Sequence, residues 1–155
     1  MSIIAPGTPA PEFTLKTQDG EQFTRDDLAG KTTVLVFYPF AFSSVCTDQF
    51  QIYQEVLGDF EAQGATLYGV STDAPDSQRA FRDSLGVTIG MLSDFEPKGE
   101  TAKAFGAYFA PGGMTTRALV IVGPDQVVRW SWIGEHPGIL PGANLIFDGL
   151  AAEPA

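Results

Sequence analysis

At 155 residues the chain is long enough to bury a sizeable core, and the expected organisation is one domain over residues 1–155. Nineteen acidic residues against nine Lys and Arg give a formal charge of −10, a surface that repels nucleic-acid phosphates and anionic membranes. One cysteine excludes an internal disulfide and a CxxC redox pair, and beside a single histidine it is poor material for a structural zinc site.

The opening Met-Ser-Ile-Ile-Ala-Pro-Gly-Thr-Pro-Ala-Pro lacks the basic start and long apolar stretch of a signal peptide. The longest apolar run breaks at Pro39, far short of a membrane span. A cytoplasmic protein is therefore expected.

Taken in order, residues 5–12 are rich in Pro and Gly and predict an extended lead-in. Phe13-Thr14-Leu15 and Glu21-Gln22-Phe23 flank Asp19-Gly20, a hairpin signal. Thr24-Arg25-Asp26-Asp27 suits a capped short helix that Gly30 ends. Residues 32–38 form a continuous, β-branched apolar run, as expected of a strand buried on both faces. Pro39 ends it, having no N–H for a ladder.

Seven residues later comes Cys46. Behind it Phe50, Tyr53, Val56, Leu57 and Phe60 recur three or four apart, which predicts an amphipathic helix over about 45–63 with Gly64 as its stop. Ala65–Ser71 reads as a second strand, Ser77–Leu85 as a helix, Thr88–Leu92 as a weaker strand and 98–105 as a short helix. Thr116–Val122 and Val127–Trp132 flank Gly123-Pro124-Asp125-Gln126 and predict an antiparallel hairpin, before a last helix over about 142–151. A β-hairpin, then βαβα, then ββα gives an α/β, thioredoxin-like fold: a mixed β-sheet flanked by helices, with an N-terminal β-hairpin.

Cys46 thus falls in the first turn of a helix that follows a central strand. Unpaired N–H groups and the positive end of the helix dipole there favour a negatively charged sulfur. A lone cysteine is also commonly just a small buried hydrophobe. Location alone leaves both readings standing.

The run Pro39-x-x-x-Ser43-x-x-Cys46 resembles the peroxiredoxin active-site motif, Pro-x-x-x-Thr/Ser-x-x-Cys. Its fuller form, Phe37 to Cys46, is similar to the one-cysteine, AhpE-like group of that family. Further likeness lies in Gly69-Val70-Ser71, Leu92-Ser93-Asp94, Ala104-Phe105-Gly106 and Arg117 ahead of the last hairpin. The resemblance implies a Cys46 thiolate that attacks a hydroperoxide and becomes a sulfenic acid. It implies substrate contacts from Ser43, Val45, Cys46 and Arg117, and a Pro39 that shields the sulfur from water. Gln49 matches a position that braces the arginine. No cofactor is implied.

Ionising a free thiol of pKa about 8.5 gains only roughly 30-fold at pH 7, about 2 kcal/mol. Larger acceleration needs groups that stabilise the leaving oxygen, and here the candidates are Ser43 and Arg117. Each also has a plainer reading: Ser43 as a helix N-cap and Arg117 as an exposed strand-end charge. Ser44 is an alternative cap, and the backbone N–H groups of Val45 and Cys46 are further candidate donors. Arg129 reads as surface. His136, in a Gly-Glu-His-Pro-Gly loop, is a distant candidate for a Cys–His pair. Phe40 and Phe42 beside the motif suit a pocket seal or a subunit contact.

Without a second cysteine, the resemblance implies recycling by an external thiol, either a low-molecular-weight thiol or a thioredoxin- or glutaredoxin-like protein. It further implies a homodimer. The competing readings are a redox sensor or binding scaffold that uses Cys46 oxidation as a signal, and a bacterioferritin-comigratory-type peroxiredoxin that lacks its resolving cysteine.

Overall fold

The computed structural model describes residues 3–152. It opens with a hairpin of β1 (Thr14–Thr17) and β2 (Gln22–Thr24). Gly20 sits at φ 84°, a left-handed value that its missing Cβ permits, so the chain turns at the expected Asp-Gly. A 3-10 turn over Arg25–Leu28 follows, its start tied by the Thr24 N–H donating to Asp27 Oδ2 at 2.8 Å. Then come β3 (Thr32–Phe37), α1 (Ser44–Glu55), α2 (Leu57–Ala62), β4 (Ala65–Ser71), α3 (Pro75–Leu85), β5 (Gly90–Ser93) and α4 (Glu100–Phe105). A two-stranded ribbon, β6 (Tyr108–Phe109) with β7 (Met114–Thr115), leads to β8 (Ala118–Val122), β9 (Val128–Ile133) and α5 (Ala143–Ala151).

Seven strands form one mixed sheet in the order β2-β1-β5-β4-β3-β8-β9. β3 lies at its heart, parallel to β4 and antiparallel to β8. Its alternating side chains serve two cores. Leu35 and Phe37 join Val70, Leu92, Val120 and Phe105 of α4 on one face. Val34, Val36 and Tyr38 join Phe50 and Tyr53 of α1, Phe81 of α3 and Ile146 of α5 on the other. The sheet therefore carries helices on both faces, as the sequence pattern predicts.

Several boundaries differ from expectation; β5, for one, starts at Gly90 rather than Thr88. The helix over 45–63 is two helices, because the chain leaves helical geometry at Val56, where φ is −112° and its N–H bonds back to Tyr53 O rather than to the carbonyl four residues earlier. β-branched Val56 and nearby Gly58 are weak helix formers. The break also turns Phe60 onto Phe147, with ring centroids 4.5 Å apart. α3 starts at Pro75 rather than Ser77, since a first-turn proline gives up an N–H that has no helical partner anyway. Finally, the hairpin strand starts at Ala118, leaving Arg117 just ahead of it.

Register decides what meets the end of β3. Phe37 pairs with Val70 on one side and Ala118 on the other. The loop leaving Tyr38 is therefore flanked by the end of β4 and by the residues entering β8. Thr115, also buried, donates its hydroxyl to the Tyr38 carbonyl. Gly69 allows α1 to settle closely here: a Cβ would come within 2.7 Å of Met91 Sδ and 2.8 Å of Phe50 Cζ.

Candidate active site

Cys46 is the third residue of α1 and has no exposed surface. Ser43 is the helix N-cap, and its Oγ accepts the Cys46 N–H at 3.2 Å. The capping job therefore falls to Ser43 and not to Ser44. Accepting that bond still leaves the hydroxyl its own proton and a second lone pair. The Cys46 N–H, an expected donor toward a bound oxygen, is occupied by this cap.

Above the cap lies a cavity of about 200 Å³, lined by Pro39, Phe40, Ser43, Ser44, Val45, Met114, Arg117, Pro137 and Gly138. Among the described residues Arg117 is the only charged one in that lining, although the protein as a whole carries a formal charge of −10. Two larger clefts, about 480 and 420 Å³, lie elsewhere. One holds Arg82 and Glu61, the other Glu12, Glu96 and Glu100, and neither is lined by any residue of the Pro39–Cys46 segment; Cys46 itself, fully buried, does not line the smaller cavity, but its neighbours Ser43, Ser44 and Val45 do.

Arg117 is only 1% exposed. The exposed strand-end charge is thus excluded by burial. Its Nε donates to the Pro137 carbonyl at 2.7 Å, and its Nη1 to Gln49 Oε1 at 2.6 Å. Gln49 Nε2 in turn donates to the Tyr53 hydroxyl at 3.1 Å, which donates to the Pro141 carbonyl at 2.7 Å. Burial pushes the Tyr53 hydroxyl above its ordinary range, so it stays neutral and keeps its proton to donate. Every partner in this chain is uncharged. Among the described residues the guanidinium is fixed in direction with no carboxylate bonded to it.

Sequence reading missed several of these contacts. Pro137 and Pro141 contribute backbone carbonyls, which no side-chain pattern reports. The Gly-Glu-His-Pro-Gly loop stands out for its imidazole, yet His136 is exposed, with Nδ1 accepting the Gly138 N–H at 3.1 Å. The Cys–His pair does not form. Tyr53 reads as one more apolar residue, although its spacing of four from Gln49 puts both on one helical face. Met114 comes from the unexpected ribbon. Arg129 is half-buried on β9 and does not line the cavity. Phe40 and Phe42 are 47% and 58% exposed; Phe40 lines the cavity and Phe42 packs on Phe81.

Comparison with known proteins fits this geometry. A family model described as "AhpC/TSA family" matches residues 6–131. A Mycobacterium tuberculosis relative with a provisional peroxiredoxin name is 39% identical over 105 residues, 68% of this chain and 66% of its own. The chain thus spans just under two thirds of that relative's length. Alkyl hydroperoxide reductase E of the same organism is 29% identical over 94% of this chain and 95% of its own. Among solved structures, Enterococcus faecalis AhpC superposes with a TM-score of 0.86 at 26% identity, covering 97% of this chain and 91% of its own. Among the described residues no helix is long and apolar enough to cross a membrane.

Proposed function

Because the chain belongs to the AhpC/TSA family, we propose that it is a thiol-dependent peroxidase that reduces hydrogen peroxide and organic hydroperoxides. The observation that carries this is that Ser43, the cap of Cys46, lines a cavity whose one charge among the described residues is Arg117. The Cys46 thiolate attacks the terminal peroxide oxygen; an S–O bond forms, the O–O bond breaks, and the departing alkoxide or hydroxide takes a proton. Sulfur loses the two electrons that the peroxide gains. Arg117 directs its fork at the oxygens, where negative charge grows as the O–O bond breaks. The Ser43 hydroxyl donates a hydrogen bond to one oxygen and accepts one from the peroxide O–H, which stays on the oxygen transferred to sulfur, while the departing oxygen takes its proton from solvent. Pro39, buried at the rim, keeps bulk water from the sulfur.

An external thiol then condenses with Cys46–SOH, releasing water, and a second thiol displaces the mixed disulfide to restore Cys46. The reductant is a low-molecular-weight thiol or a thioredoxin- or glutaredoxin-like protein. Exposed Phe40 and Phe42 beside the cavity support a homodimer through this face, which sedimentation of the reduced protein tests.

The deciding experiment is the second-order rate of oxidation of reduced protein by hydrogen peroxide, followed by stopped-flow fluorescence of Trp130 and Trp132. A rate thousands of times that of free cysteine is expected, with a sulfenate trap labelling Cys46. A rate equal to free cysteine's for both hydrogen peroxide and an organic hydroperoxide overturns the reading. The full burial of Cys46 favours one second reading, a sensor whose sulfenate is shielded from reductant. Fast oxidation with slow turnover by every thiol would support it.

A further inference from the structure

The loop Pro39–Ser43, which delivers the N-cap to Cys46, is thinly held. Among the described residues, Ala41 is the only one of its residues whose N–H donates a hydrogen bond, at 2.7 Å to Asp73 Oδ2. The next residue, Phe42, has φ 68°, a left-handed value that is a true outlier for a bulky side chain. Such a conformation persists only when its surroundings over-determine it. Two contacts do so: the Asp73 bond on one side of Phe42, and its ring on Phe81 with centroids 5.4 Å apart.

Asp73 is itself built in. Its Oδ2 also accepts the Ser71 hydroxyl at 2.7 Å, and buried Gln78 donates from Nε2 to Ser71 Oγ at 2.9 Å and to the Leu92 carbonyl at 2.8 Å. The Asp73 carbonyl accepts the Ser93 hydroxyl. Asp73 is thus anchored through its carboxylate to the end of β4, where Gln78 of α3 braces Ser71, and through its carbonyl to the end of β5, and the carboxylate reaches across to the loop that follows β3.

Given the peroxidase reading, on which this rests, we infer that Asp73 is a positioning residue. Its carboxylate latches the Ala41 N–H, holds Phe42 in its strained conformation and so aims Ser43 at Cys46. Without the latch the loop relaxes at Phe42 to a negative φ and Ser43 turns away from its cap.

The test compares Asp73→Ala and Asp73→Asn with wild type in the full chain. It measures the rate of Cys46 oxidation by hydrogen peroxide together with hydrogen exchange at the Ala41 amide. Asp73→Ala should slow oxidation by about tenfold to a hundredfold and release Ala41 to exchange. Asp73→Asn, which keeps an acceptor oxygen, should stay within about threefold of wild type. Oxidation as fast in Asp73→Ala as in wild type overturns the inference, as does an Asn variant as slow as the Ala one. If Asp73→Ala does not fold, wild-type exchange decides: Ala41 should be protected relative to Phe40 and Phe42, and equal exchange at all three overturns the latch. A protected Ala41 in a wild type no faster than free cysteine, with hydrogen peroxide and with an organic hydroperoxide alike, overturns the peroxidase reading instead.

Discussion

Arg117 and Gln49, 68 residues apart in sequence, meet through a 2.6 Å hydrogen bond with both side chains buried. Holding a buried guanidinium with an amide gives it direction and keeps its charge for an anion. A carboxylate at the same place would have spent that charge on a salt bridge. The ion pairs found, Arg25 with Glu12 and Arg79 with Asp76, lie on the surface away from the cavity.

Gln49→Met keeps the length of the side chain and removes the acceptor. Arg117 Nη1 is then left buried without a partner, which should lower stability by about 1–3 kcal/mol. Oxidation of Cys46 should slow by roughly tenfold, since a misdirected fork stabilises the leaving oxygen less. Urea denaturation and stopped-flow oxidation measure the two effects. Combined with an Arg117 variant, the losses should be less than additive, because one contact is being removed twice.

Arg117→Lys keeps the charge and loses the planar fork, so it cannot serve Pro137 O and Gln49 Oε1 together. The oxidation rate should fall by about a hundredfold. Because Arg117 is buried, Arg117→Ala acts on the fold as well as on the rate. It opens a void and orphans two acceptors, so it should also cost about 2–4 kcal/mol of stability.

Ser43→Thr should preserve the cap to the Cys46 N–H and most of the oxidation rate. Ser43→Ala should lose about 1 kcal/mol of stability and slow oxidation by tenfold or more, about what a lost transition-state donor costs. Equal rates in the two variants would show the hydroxyl to be a cap and nothing else.

Cys46→Ser should abolish peroxide consumption while leaving the fold intact. In wild type, excess peroxide should carry Cys46 past the sulfenate to the sulfinic acid, because the chain has no second cysteine to trap it. Intact-mass spectrometry after peroxide titration reads both outcomes. Consumption that survives the substitution removes Cys46 from the chemistry.

Asp94 gives a pH dependence to stability. Burial raises its carboxyl above the ordinary 3.8, against the pull of N–H bonds from Ala102 and Thr101. The folded state therefore holds this proton more tightly than the unfolded chain does. The resulting stabilisation is complete below about pH 3.8 and is lost as pH climbs through the raised value. Thermal melts of wild type and Asp94→Asn between pH 3 and 7 should show wild type losing ground to the variant as pH rises.

The sequence by itself determined what depends on near neighbours. The Asp19-Gly20 turn, the apolar run 32–38 and its stop at Pro39 follow from backbone sterics and period. So does the three-residue spacing that lets Ser43 cap the Cys46 N–H, because one helical turn fixes that reach. The order of strands and helices was legible for the same reason, apart from Val56, where packing of Phe60 outweighs helical continuity, and the ribbon over 108–115, whose strands of two residues are too short to show a period.

Tertiary structure decided the rest. Whether Arg117 was an exposed charge or a buried fork depended on the β3–β8 register and on the loop that covers it. Its partner Pro137 acts through a carbonyl, which every residue has and no side-chain pattern can single out. Asp73 and Ala41 are likewise unremarkable in sequence. They meet because β3 and β4 run parallel and end at the same level, so the loop leaving one passes the turn leaving the other. Contacts between distant segments are set by sheet register and close packing, and those are properties of the folded chain as a whole.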